Sequence, residues 1–265
     1  MIERLSLNQI TIGSSTLGQA VDGCVRHGIP WIGPWRHKIA VAGLAESARL
    51  IRGAGLQVSS LCRGGMFPAA TEAERATRID DNRRAVDEAV ALGTDVLVLV
   101  CGPAPDRDLD GARAMVEDGI AAIEPYARER GVRLGIEPLH PMFAGDRSVI
   151  VTLRQALDMA EKLAVGVVID AYHVWWDPEL YAQIARAGAR IFGFHVSDWI
   201  VPLPDPLMGR GMMGDGVIEL GRIRQAVDAA GYSGPVEVEI FNQALWNMPP
   251  DDALRWMKER YLAVV

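Results

Sequence analysis

The sequence predicts an α/β protein folded as a closed (β/α)8 barrel, the TIM-barrel arrangement. Three observations support this fold: short apolar runs alternate with helical patterns, the alternation occurs eight times, and it continues to the end of the chain. The 265 residues, 49% of them hydrophobic, are enough to bury the large core of one barrel. We therefore expect residues 1–265 to form a single barrel domain.

The first half of the chain contains four strand–helix units. The predicted strands are 5–10, 30–33, 56–61 and 96–100, and the predicted helices are 16–27, 44–53, 73–92 and 111–130. Gly28, Gly55, Gly93 and Gly131 come just after these helices, where a left-handed backbone costs glycine least. Each of these units therefore ends in a helix stop signal.

The second half repeats the pattern four more times. The predicted strands are 133–137, 167–170, 190–195 and 236–240, and the predicted helices are 152–163, 178–187, 220–230 and 251–262. Eight such regular units favour a closed barrel over an open doubly wound sheet. The longest irregular segment, 197–216, is too long for an ordinary connection and is predicted to be a lid or an interface.

Composition and charge exclude several classes of function. The net charge of -7 and the pI of about 5.3 disfavour nucleic acid as a ligand, because an acidic surface repels phosphates. No Gly-rich dinucleotide fingerprint follows a strand. With no apolar run of membrane-spanning length and no signal-like amino terminus, we expect a cytoplasmic protein without membrane contact. Cys24, Cys62 and Cys101 form no CxxC pair and are expected to be reduced thiols.

Four polar residues stand at the ends of the last four predicted strands. They are Glu137, Asp170, His195 and, near the end of the eighth strand, Glu239. Strand ends of this fold meet at the active-site face, and crowded carboxylates need a compensating cation. Oxygen ligands with one nitrogen suit Mn²⁺, Mg²⁺ or Co²⁺ better than Zn²⁺, although Zn²⁺ also fits. We therefore predict a divalent metal site, with Mn²⁺ as the preferred ion.

Two alternatives accompany this prediction. Glu237 lies on the same strand face as Glu239 and is an alternative ligand, although its position further from the strand end favours Glu239. The strand-end carboxylates could instead pair with arginines, leaving His195 as an ordinary hydrogen-bonded histidine of the barrel interior.

The residues around these four positions carry a resemblance to a known family. The segments are GIEP at Glu137, VIDAYH at Asp170, GFHVSD at His195, GDGVIEL from Gly214 and GPVEVEIF at Glu239. Across nearly the whole chain, the sequence resembles the xylose isomerase-like TIM barrels of the sugar isomerase and epimerase superfamily, which include ketose 3-epimerases and inosose isomerases. The resemblance implies that all four residues bind metal, that Glu137 and Glu239 also exchange the substrate proton, and that His173 contacts substrate.

Two positions depart from the ketose epimerases of that superfamily. An arginine that many of them carry six residues after the metal histidine is replaced by Val201, and Arg210 is the candidate to substitute for it. In addition, His140 follows Glu137 by three residues, as in the catalytic subunit of C-glycoside deglycosidases. That similarity implies a lyase acting on 3-oxo-glycosides with His140 as base and a small β-rich partner subunit.

Further substrate contacts are expected from rim residues. Arg63, after the third strand, lies on the active face, but it could equally balance rim carboxylates. Trp175 belongs to a group of tryptophans that could stack on a sugar or fill the core. Methionines in segment 197–216 could pack over a ligand or against another subunit, so a homo-oligomer is one expectation.

The leading functional hypothesis is a sugar isomerase or epimerase that binds a keto sugar. A metal-dependent enzyme of this kind removes the proton next to the carbonyl and forms an enediolate. The 3-oxo-glycoside lyase is the alternative. An abasic-site endonuclease is disfavoured, because Gly33, Cys62 and Cys101 stand where its further zinc-binding histidines would be. A non-catalytic binding protein would require vestigial metal ligands.

Overall fold

The computed structural model describes residues 2–265. Its strands are β1 (Leu5–Asn8), β2 (Trp31–Gly33), β3 (Gln57–Val58), β4 (Leu61–Gly65), β5 (Val96–Val100), β6 (Arg133–Ile136), β7 (Gly166–Asp170), β8 (Ile191–Val196), β9 (Asp198–Trp199), β10 (Arg210–Gly211) and β11 (Val236–Val238). The α-helices are α1 (Leu17–His27), α2 (Arg36–Ala42), α3 (Leu44–Gly53), α4 (Glu72–Leu92), α5 (Leu109–Glu129), α6 (Leu153–Leu163), α7 (Ala171–Val174), α8 (Leu180–Ala187), α9 (Leu220–Ala229), α10 (Gln243–Trp246) and α11 (Pro250–Val264).

Nine of the strands form one parallel sheet in the order β3-β2-β1-β11-β8-β7-β6-β5-β4. Because β3 and β4 follow each other in the chain, they occupy one barrel position between them: β3 pairs with β2, and β4 pairs with β5. The sheet is therefore a barrel of eight positions, and the predicted (β/α)8 fold is confirmed.

The third strand was predicted as one continuous run over 56–61, but the structure divides it in two. It breaks at Ser59 and Ser60 and resumes as β4, which continues to Gly65. The hydroxyls of both serines donate to the Glu237 carboxylate inside the barrel, at 2.6 and 3.0 Å. Two consecutive inward side chains interrupt the alternation of a regular strand, which explains the break. As a result, Arg63 lies within β4 and not in the loop after it.

Two of the helices, α1 and α4, begin and end at residues with clear capping signals. Thr16 and Thr71 form capping boxes with the residues three positions later, at the starts of α1 and α4. Gly28 and Gly93 end these helices in the left-handed conformation, with φ of 63° and 82°. These caps and stops set the bounds of α1 and α4.

Segment 197–216 returns to the barrel mouth. Its β9 and β10 form a small antiparallel pair. Asp198 stabilises the folded-back path of this segment by accepting hydrogen bonds from the backbone amides of Gly214 and Ile218, at 2.8 and 3.0 Å. This folding brings Arg210, the first residue of β10, into the protein interior.

Among the described residues, no helix has the length and apolarity needed to cross a membrane. Cys24, Cys62 and Cys101 are buried free thiols. Burial raises the pKa of each thiol above its ordinary value, so the three side chains act as small core residues.

Candidate active site

The four strand-end residues meet in one buried cluster, named the ligand quartet below: Glu137, Asp170, His195 and Glu239. Glu137 directly follows β6, Asp170 ends β7, His195 lies in β8, and Glu239 directly follows β11. One potential ligand atom from each residue lies within 4.8 Å of the others. The barrel therefore brings together the residues that the sequence singled out.

The donor set of the quartet fits a divalent cation. His195 Nδ1 lies 3.1 Å from Glu137 Oε1 and 3.7 Å from Glu239 Oε2. Neither His195 Nδ1 nor Glu137 Oε1 has a correctly oriented hydrogen-bond partner within residues 2–265, although both atoms are buried. Buried polar atoms without partners are costly, and a cation bound between them would satisfy both.

The electrostatics of the quartet are set by burial and by neighbouring charges. Burial raises the pKa of Glu137 to about 7. Burial also acts to raise the pKa of Asp170, but the charge of Arg210, the two neighbouring histidines and the hydrogen bond from the Tyr172 amide together outweigh it and lower that pKa to about 2. Burial alone would lower the pKa of His195, yet the surrounding carboxylates, Glu237 foremost, raise it well above its ordinary value. When no ion is bound, a proton on His195 is therefore the positive charge that balances the surrounding carboxylates.

Arg210 is the second cation at this cluster. Its Nη1 donates to Asp170 Oδ2 at 2.8 Å and to Glu239 Oε2 at 3.2 Å. Its Nη2 lies 2.9 Å from His173 Nε2, and the guanidinium lies 4.5 Å from the centre of the Tyr172 ring. In contrast, Val201 is largely exposed. Arg210 therefore reaches the quartet from within the long segment, and its contact with substrate stays a prediction.

Glu237 lies on the other side of the His195 ring. It accepts hydrogen bonds from Asn8 Nδ2 at 2.7 Å and from Ser59 and Ser60, and its Oε2 lies 3.8 Å from His195 Nε2. Gly33 makes room for it, since a Cβ at that position would collide with the carboxylate. The geometry thus favours Glu239 as the metal ligand and places Glu237 beneath the histidine.

His173 and His140 occupy different environments. His173 is buried, and burial lowers its pKa to about 3, so the ring is neutral at physiological pH. The His140 amide donates to His173 Nδ1 at 3.2 Å. The His140 ring itself packs against Trp199 and Trp176, with ring centroids 4.9 and 5.5 Å away, and its Nδ1 accepts from the Met142 amide.

A small cavity of about 50 Å³ adjoins the quartet. Its polar lining comes from Glu137, Glu239, His173, Arg210, Arg63 and Arg147, and its apolar lining from Trp35, Val100, Leu139, Phe143, Leu207 and Phe241. At Trp35 and Arg63 it meets a groove of about 590 Å³ beside α4. His140 and Trp175 are not among the lining residues, and Trp175 packs against Trp199 at a ring-centroid distance of 5.5 Å.

Comparison with known proteins gives a match over most of the chain. A family model described as xylose isomerase-like TIM barrel matches residues 21–260. The chain is 29% identical over 211 residues to a 3-dehydroshikimate dehydratase of Pseudomonas aeruginosa, covering 76% of this chain and 32% of that protein. It is 24% identical over 155 residues to an inosose isomerase of Halalkalibacterium halodurans, covering 55% of this chain and 52% of the isomerase. The chain thus spans about a third of the length of the dehydratase and half that of the isomerase.

Solved structures share the fold over its full length. A crystal structure of a protein from Sinorhizobium meliloti 1021 is 52% identical, with a TM-score of 0.98, and the alignment covers 100% of this chain and 99% of the other. The IolI protein with a bound zinc atom is 20% identical, with a TM-score of 0.86 and coverage of 99% and 98%. The second likeness supports the architecture alone.

Proposed function

Because this chain belongs to the xylose isomerase-like TIM barrel family, we propose that it is a divalent-metal-dependent enzyme that removes a proton next to the carbonyl of a small polyhydroxylated ketone. The observation that carries this proposal is the buried ligand quartet, whose three carboxylates and one imidazole converge beside a cavity. A purely structural cluster of buried carboxylates would be hydrogen-bonded throughout, whereas neither Glu137 Oε1 nor His195 Nδ1 has a correctly oriented hydrogen-bond partner within residues 2–265.

The quartet residues would hold the ion. A divalent ion bound by Glu137, Asp170, His195 and Glu239 would polarise the substrate carbonyl as a Lewis acid. Mn²⁺ is the ion we propose from the oxygen-rich donor set, and the zinc atom of the IolI structure makes Zn²⁺ the main competitor.

Glu137 and Glu239 are the proposed acid and base. Both line the cavity, and they enter it from β6 and β11, which are separated in the barrel by β7 and β8. Two carboxylates that reach one ligand from different directions can remove a proton on one face and return it on another. Arg210 holds Glu239 by hydrogen bonds and keeps its orientation fixed. Epimerisation or isomerisation is the outcome that this arrangement supports best.

Elimination is the second candidate reaction. The relationship to a 3-dehydroshikimate dehydratase over 76% of this chain favours it. In such a reaction, the same proton abstraction is followed by departure of a β-hydroxyl group as water. The 3-oxo-glycoside lyase needs His140 as base; since that ring packs between tryptophans, the geometry favours Glu137 for proton removal.

The test is solvent deuterium exchange followed by NMR. Protein loaded in turn with Mn²⁺, Mg²⁺, Co²⁺ or Zn²⁺ is incubated in D2O with D-fructose, an inosose, or 3-dehydroshikimate. We expect deuterium at the carbon next to the carbonyl of at least one compound, with an epimer, an isomer or a dehydrated product. Glu137→Gln and Glu239→Gln should abolish exchange, whereas Glu46→Gln on the exposed face of α3 should not. Absence of exchange with every ion and ketone would refute the proposal.

A further inference from the structure

Two arginines at the cavity have almost no direct hydrogen-bond or ion-pair partner. Arg63 and Arg147 line the same cavity as Glu137 and Glu239. Within residues 2–265, Arg63 has no side-chain hydrogen bond, and no carboxylate oxygen lies within ion-pair distance of it. Arg147 has only Asp146, its exposed neighbour, at 3.8 Å, and its buried Nε has no hydrogen-bond partner. An exposed ion pair of that length contributes little.

Two other arginines of this face are bound directly by carboxylates. Arg36 is bound by the carboxylates of Asp81 and Glu88, with four contacts between 2.6 and 3.2 Å. Arg210 is bound by Asp170 and Glu239. The charge of Glu137 favours the charged form of Arg63 from a distance, but within residues 2–265 no carboxylate of the quartet lies within ion-pair distance of Arg63 or Arg147. The expectation that Arg63 only balances rim carboxylates therefore has no direct contact to support it.

Holding two such cations together costs free energy. Burial lowers the pKa of Arg63, and the nearby positive charge of Arg147 lowers it further. The Arg147 guanidinium lies 5.7 Å from the Phe143 ring centre, so its position is held by packing. The aromatic and aliphatic lining of the cavity reduces screening by water, which strengthens the interaction with any anion that enters.

We infer that Arg63 and Arg147 bind the carboxylate of the substrate, so that the enzyme acts on a hydroxylated keto acid and not on a neutral sugar. This inference rests on the proposed function, because the same cavity presents the quartet to the other end of the ligand. A planar carboxylate fits the forked donors of guanidinium groups.

The binding test uses ligand pairs that differ in one group. 5-Keto-D-gluconate and L-sorbose, and likewise D-gluconate and D-glucitol, differ only by a carboxylate in place of a hydroxymethyl group. Calorimetric titration of the metal-loaded protein should show at least about 10-fold tighter binding of the acid in each pair, as expected for charge-assisted hydrogen bonds. A third comparison, of D-fructose 6-phosphate with D-fructose, measures whether a phosphate group binds in place of the carboxylate.

Variants assign the effect to the two arginines. Arg63→Met and Arg147→Met should each weaken binding of the acids about 10-fold and leave binding of the neutral partners unchanged. Arg63→Lys, which keeps the charge but loses the fork, should restore part of the affinity and guards against misfolding of the methionine variant. Arg78→Met is the matched control, because Arg78 lines the groove but not the cavity.

Each result decides the inference. Equal affinity for acid and neutral partner, no binding of either acid, or acid binding that survives both methionine substitutions would overturn it. A preference for the phosphate ester over both acids would overturn the assignment to a carboxylate. Failure of the proposed function is seen separately, as loss of metal binding or of deuterium exchange, because D-gluconate has no ketone and its binding requires no proton abstraction; the methionine variants assign that binding to the arginines.

Discussion

Replacing Glu237 by glutamine should weaken metal binding without removing a ligand. The substitution keeps the size of the side chain, so the barrel interior needs no repacking. Asn8 determines which way the new amide points. Its Oδ1 accepts from the Ile10 amide at 3.1 Å and from Trp35 Nε1 at 2.7 Å, so its Nδ2 must remain the group that donates to residue 237. The oxygen of the glutamine therefore has to face Asn8.

The amide nitrogen then occupies the other position, where Oε2 of Glu237 now lies. There it faces Ser59 and Ser60, whose hydroxyls can rotate to accept, and His195 Nε2, which lies 3.8 Å from Oε2. A donor at this point disfavours the His195 tautomer protonated on Nε2 and favours the one protonated on Nδ1, the nitrogen that faces Glu137 and Glu239. A protonated Nδ1 cannot bind a metal ion.

The expected loss is about 10- to 100-fold in metal affinity, or about 1.4–2.8 kcal/mol, as for other residues that orient a ligand from behind. Competition titration of the metal-free protein with Mn²⁺, Co²⁺ or Zn²⁺ against a chelating dye measures it. Glu219→Gln, at an exposed pair with Arg222, is the matched control and should bind as the wild type does. Unchanged affinity in Glu237→Gln would refute the tautomer argument. A loss as large as that of Glu239→Gln would show that Glu237 is itself a ligand.

Three further predictions follow from the same geometry. Metal affinity should fall as the pH decreases below about 7, because protons compete with the ion at His195 and at Glu137, whose pKa is raised to about 7 by burial. Calorimetry in two buffers with different ionisation enthalpies should detect the protons released on binding. An affinity that does not change with pH would contradict this prediction. Gly33→Ala should lower the free energy of unfolding by about 1–3 kcal/mol in urea titrations, since its Cβ collides with Glu237, whereas Gly18→Ala, in open space on α1, should not destabilise. A metal ion present at about 100 times its Kd should raise the free energy of unfolding by about 2.7 kcal/mol. An equal increase in a His195→Ala variant would contradict the assignment of the metal site to the quartet.

The fold was predictable where the sequence repeats a strong local pattern. Helix α4 spans Glu72–Leu92, against an expected 73–92, because a capping box and a glycine mark its ends. The break between β3 and β4 was missed, since it depends on Ser59 and Ser60 both facing Glu237, which is distant in the chain. Helices α7 and α10 have four residues each, too few to show a helical period.

The quartet was predictable because the barrel places the ends of all its strands on one face. Arg147 offered no such signal. It lies ten residues beyond Glu137 in an irregular segment, whose path depends on tertiary hydrogen bonds such as that from the Val149 amide to Gly102 O at 3.0 Å. Arg210 could be named from the sequence only by the resemblance, because its approach to Asp170 depends on how the long segment returns.

The polar interior beneath the quartet is costly unless the site binds a cation. Within the described residues, Glu237 is buried among neutral donors, Asn8, Ser59 and Ser60, and its nearest group able to carry a positive charge is His195. Burying a carboxylate in this way is less favourable than filling a barrel with aliphatic side chains. The Glu237 charge favours a proton on His195 when no ion is bound, and it would offset the positive charge that a bound ion would place on the same ring. A buried carboxylate that lowers the stability of the fold and orients one imidazole is what the proposed metal site would require, and it is not expected of a structural core.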